Sequence, residues 1–71
     1  MERVNLVTPA HVGARVSFQY ELPNGFLSEV VGILASWDEG AATYVVRRKD
    51  GTIAHVPLRG VRFGKVVEEV R

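Results

Sequence analysis

The side chains best able to do chemistry in this sequence are cations, and they gather in its second half. Residues 40–67 hold Arg47, Arg48, Lys49, Arg59, Arg62 and Lys65 against one carboxylate, Asp50, a balance of +5. Residues 1–39 hold two basic and five acidic side chains, a balance of −3, and the whole chain is only +1. Such asymmetry points to an anionic partner for the second half. Guanidinium and ammonium groups grip phosphates and carboxylates through charge-assisted hydrogen bonds. The plainer alternative is that these are solvated charges at strand ends and turns. Trp37, beside Asp38-Glu39, is the other candidate contact residue. A single tryptophan at a strand end is more often a lid on a core.

Catalytic chemistry is not supported. A metal site wants three or four convergent ligands, and the chain offers His11 and His55 with no cysteine. Nucleophilic catalysis needs a nucleophile, a base and an orienting group held together. Ser17, Ser28 and Ser36 all fall in strand-like segments with neither histidine expected near them. The glycines are scattered singly, as turn and bend residues, and form no phosphate-cradling loop. The chain is expected to be no enzyme by itself and to need no cofactor.

The elements that must carry the cations are strands. Residues 14–22 alternate: Val16, Phe18, Tyr20 and Leu22 on one face, Arg15, Ser17, Gln19 and Glu21 on the other. Period two is the mark of a half-buried strand. Pro23-Asn24-Gly25 is a turn, with proline at i+1 and glycine in the left-handed position, so Leu22 faces Phe26. Residues 27–37 form a long second strand with Val30 and Leu34 on one side and Val31, Ile33 and Trp37 on the other. Gly32 inside it marks a bend.

Residues 43–48 and 52–58 are a hairpin around Lys49-Asp50-Gly51. A two-residue Asp50-Gly51 turn would leave both faces mixed. A type I turn at Lys49-Asp50 with a bulge at Gly51 pairs Val46 with Ala54 and Tyr44 with Val56. That register collects Tyr44, Val46, Ala54, Val56 and Leu58 on one face. It leaves Val45, Arg47, Ile53 and His55 on the other. A slip of one residue exchanges the faces, so the segregated register is preferred. Arg59-Gly60 is a short turn, and 61–67 is a last strand with Val61, Phe63, Val66 and Val67. The aromatics Phe18, Tyr20, Tyr44 and Phe63 are expected mostly inside, which weakens any stacking platform for bases.

Before the first strand, Thr8-Pro9 reads as an N-cap and first helical residue. One helical turn over Pro9–Val12 and plain coil fit equally. The expected division is a lead-in over 1–12, a barrel over 13–67 and a frayed charged tail over 68–71. Five strands with tight turns curl to cover their edges. The fold class is therefore all-β: a small five-stranded SH3-like barrel with at most one helical turn near the N-terminus and one 3-10 turn before the last strand. An OB-fold needs a helix for which Lys49-Asp50-Gly51 leaves no room.

With 71 residues there is one domain, stable by only a few kcal/mol. Thirteen valines and 46% apolar residues mark it as folded. No apolar run approaches the ~20 residues that cross a bilayer, and the N-terminus lacks a signal-peptide pattern. These features read as a soluble, cytoplasmic protein. Pro57 and the short charged last strand blunt the sheet edges, which favours a monomer.

Four segments carry a resemblance: Gly-Ala-Arg-Val-Ser-Phe-Gln-Tyr at 13–20, Val-Val-Gly-Ile-Leu-Ala-Ser-Trp-Asp at 30–38, Val-Val-Arg-Arg-Lys-Asp-Gly at 45–51 and His-Val-Pro-Leu at 55–58. Together they resemble the SH3-like domain at the N-terminus of some bacterial GNAT-superfamily N-acetyltransferases of the histone-acetyltransferase-like kind. The resemblance spans residues 13 to about 67 and rests on turn and core positions. It implies a non-catalytic accessory module, fused to or working beside an acetyltransferase domain that binds acetyl-CoA. No functional residue of this module carries over with it. The alternative from charge alone is a small barrel that binds nucleic acid. A protein partner is expected first, nucleic acid second, and a membrane not at all.

Overall fold

Alternation along residues 14–22 is realised as a strand that sits third from one end of a six-stranded sheet. The computed structural model describes residues 4–68. The strands are β1 (Val4–Asn5), β2 (Arg15–Glu21), β3 (Leu27–Asp38), β4 (Thr43–Arg47), β5 (Ile53–Pro57) and β6 (Val61–Glu68). Two 3-10 turns, Pro9–His11 and Leu58–Gly60, are the other regular elements among the described residues. The sheet order is β1-β6-β2-β3-β4-β5, antiparallel except for β1 on β6. It curls until β5 comes back towards β2. The architecture is the all-β small barrel expected, and among the described residues there is no helix beyond single turns.

Both hairpins hold the expected registers. Leu22 N–H donates to Phe26 O across the Pro23-Asn24-Gly25 turn, with Gly25 at φ +89°. Gly51 is at φ +90°, and Val46 faces Ala54 while Tyr44 faces Val56. The anticipated core residues Val16, Phe18, Leu34, Tyr44, Val46 and Val56 are all buried. Tyr20, Val30, Ala54, Val61 and Val7 join them.

Four positions differ from expectation. The lead-in contains a strand: β1 runs parallel to β6, Val4 beside Phe63 and Asn5 beside Gly64. Val7 follows it into the core and accepts a 3.0 Å hydrogen bond from the Tyr44 hydroxyl. Trp37 is on the core side with Leu34, because a bulge between Leu34 and Ser36 inserts one residue and turns the strand over. Leu58 is exposed, since the 3-10 turn interrupts the alternation that began in β5. Phe63 lies outside the core, because a register shift beside Gln19 reverses the faces of β6. The charged tail expected at 68–71 lies outside the described residues except for the backbone of Glu68, which closes β6.

Gly32 is where β3 changes partners. Residues 27–33 pair with β2 and residues 33–38 with β4. No described helix is long and apolar enough to cross a membrane.

Candidate anion-binding cleft

Where β3 bends, its outer side and the β4–β5 hairpin enclose a shallow cleft of about 190 Å³. Arg15, Val31, Gly32, Ile33, Arg47, Arg48 and Lys49 line it. The bend depends on glycine. An ideal Cβ on Gly32 would come within 2.9 Å of the Arg47 carbonyl carbon and closer to its oxygen. Without a side chain there, the end of β4 closes onto β3 and brings Arg47, Arg48 and Lys49 beside Arg15.

Arg15 was not among the sequence candidates. It lies in the acidic half of the chain, on the polar face of β2, and pairs across the sheet with Ile33. Ile33 in turn pairs with Arg47. Directly opposite residues share a face with Cβ atoms about 4.5–5.5 Å apart, so Ile33 holds two guanidinium groups on either side of itself. Among the described residues, no carboxylate pairs with the side chains of Arg15, Arg47 or Lys49. Across the β2–β6 pair, the backbone of Arg15 lies opposite Glu68.

Arg48 is tied into the hairpin. Its guanidinium donates to the Thr52 hydroxyl at 3.4 Å, and that hydroxyl donates to Asp50 Oδ1 at 2.7 Å. Asp50 also accepts the Thr52 N–H at 3.0 Å. The Thr52 hydroxyl, then its N–H, then the charge of Arg48 hold the Asp50 carboxyl below the usual carboxylate range. The only carboxylate of the hairpin is thus turned towards Thr52, while the cleft keeps its cations. An exposed ion pair at 4 Å is worth roughly 1 kcal/mol in water, so only several acting together would hold an anion, and salt would screen them.

The remaining candidates are elsewhere. Arg62 forms an ion pair with Glu21, both partly buried. Arg59 sits on the 3-10 turn, near Glu21, Leu22 and Pro23. Lys65 is exposed on β6 opposite Ser17. Trp37 packs at a tilt against Tyr44 with ring centres 4.7 Å apart, and its Nε1–H donates to Glu39 at 3.0 Å. It serves as a lid over the core. His11 closes its own turn, its Nδ1 accepting the Thr8 N–H at 2.9 Å, and His55 is exposed on β5. Among the described residues no group of three metal-ligating side chains forms.

The fold is that of a small β barrel. The model of the family described as the Rv0428c N-terminal Sm-like domain matches residues 10–65, and the chain belongs to that family. No curated protein and no solved structure matches it.

Proposed function

We propose that this domain is a non-catalytic interaction module that engages an anionic partner through the cleft of Arg15, Arg47, Arg48 and Lys49. The observation that carries this reading is four cations around one cleft, with no carboxylate among the described residues that line it. An Sm-like small barrel is compatible with such a binding role. The finer reading is that the module works fused to or beside a GNAT-type N-acetyltransferase. The sequence resemblance alone supports it. It acts as a monomer on this reading: Pro57 leaves the end of outer strand β5 without an N–H donor. Light scattering giving a dimer mass would refute that point.

The test is a fluorescence-anisotropy titration with polyglutamate and with a single-stranded oligonucleotide in about 50 mM salt. Binding of at least one polyanion that weakens steeply with added salt is the expected result. No binding of either at high micromolar protein would end the cleft reading. Affinity capture from a native extract tests the acetyltransferase association, and failure to recover an acetyltransferase would remove it.

A further inference from the structure

We infer, resting on the cleft reading above, that the natural occupant is a protein segment in which carboxylates flank aliphatic side chains, rather than a nucleic acid. The outer face of the sheet carries a transverse row set by three registers. Arg15 faces Ile33, Ile33 faces Arg47, and Arg47 faces Ile53. Cation and aliphatic residue alternate across four strands. Val31, next along on the same face of β3, lines the cleft beside Ile33. Val31 and Ile53 are each 45% exposed. The cleft therefore has an aliphatic floor with charge around it. A ligand that matches it presents a leucine, isoleucine or valine to the floor and carboxylates to Arg15, Arg47 and Lys49.

Nucleic acid fits this surface poorly. Sequence-tolerant binding of single strands relies on aromatic rings on which bases stack, and no aromatic residue lines the cleft. Phe18, Tyr20 and Tyr44 are buried, and Trp37 is held between Tyr44 and Glu39. Phe63 does reach the outer face, but it stands opposite Gln19, which faces Glu29. The Gln19 amide donates to the Glu29 carboxylate at 3.4 Å. A base on Phe63 would bring its phosphates towards that carboxylate.

The experiment compares three probes of matched charge: a short peptide whose glutamates flank leucines, polyglutamate, and a single-stranded oligonucleotide. Burying one aliphatic side chain on the floor is expected to make the glutamate–leucine peptide about tenfold tighter than polyglutamate. Val31→Thr and Ile33→Thr, checked for folding by circular dichroism, should each remove most of the difference between the glutamate–leucine peptide and polyglutamate. Equal binding of the two peptides, or tighter binding of the oligonucleotide, overturns the inference while the cationic cleft stands. No binding of any probe overturns the cleft reading and this one with it.

Discussion

Gly32 and Arg47 approach so closely that no side chain fits between them: a Cβ on the glycine would lie 2.9 Å from the arginine's carbonyl carbon and closer still to its oxygen. This contact makes the cleft, because it sets the angle at which the cationic end of β4 meets β3. Gly32→Ala must push the strands apart, and overpacking of this kind costs about 1–3 kcal/mol. For a domain of this size that lowers Tm by roughly 5–20 °C. Phe18→Ala is the benchmark, since a lost core phenylalanine costs ~3–5 kcal/mol and should leave the domain largely unfolded at room temperature. A Gly32→Ala protein that melts with the native one would show that β3 does not bend there.

The N-terminal segment is fastened to the barrel by a hydrogen bond from the buried Tyr44 hydroxyl to the Val7 carbonyl. Tyr44→Phe keeps the ring and removes the donor. Stranding a buried acceptor costs about 1–3 kcal/mol, and that loss should be felt first in the segment. The Leu6 amide, which donates to Gly64 O at 2.8 Å, should exchange with solvent faster in the variant than amides of β4. Unchanged exchange at Leu6 would mean that β1 is held by its ladder alone.

How much of this was legible beforehand follows from loop length. Two short turns, Pro23-Asn24-Gly25 and Lys49-Asp50-Gly51, each pin a register, and with alternation they fix which face of β2, β4 and β5 is buried. Carrying the first register down to its end would have placed Arg15 opposite Ile33. The join between β3 and β4 was not legible in the same way. Its loop holds Ala42 at φ +48°, a conformation that alanine does not advertise. The bulge after Leu34 leaves no mark in composition either, so Trp37 fell on the wrong face. β1 has only two residues, too few to show any period. Its pairing with β6 is decided by tertiary contacts: Asn5 Oδ1 and the Phe18 ring occupy the space a side chain on Gly64 would need.

Asp50 gives the hairpin a pH dependence of known sign. Its carboxyl is held low in the folded state by the Thr52 hydroxyl, the Thr52 N–H and Arg48. A depressed carboxylate contributes stability that is present in full at neutral pH. That contribution falls away as the pH drops through the ordinary aspartate range, near about 4, towards the lower folded value. Asp50→Asn should melt below the native protein at pH 7, and the gap should close under acid. Urea melts at several pH values read this directly. A gap that stays constant into acid would mean that the substitution acts on turn geometry and not on charge.

Arg47 and Arg62 separate cleft function from packing. Both are arginines of the basic half, and charge alone would weigh them equally. Arg62 is engaged with Glu21, with a buried Nε, whereas Arg47 is exposed at the cleft beside Arg48 and Lys49. Arg47→Ala should therefore weaken polyglutamate binding by about tenfold, the value of one charge-assisted contact. Its stability should change by less than about 0.5 kcal/mol, as expected for an exposed site. Arg62→Ala should do the opposite: it should lower Tm measurably, because a partly buried ion pair is broken, and leave the binding curve where it was. Anisotropy titrations and thermal melts on the same two preparations give all four numbers. Equal losses of binding would show that the partner is held by the diffuse charge of the second half, and a larger loss at Arg62 would move the site to the far end of β6.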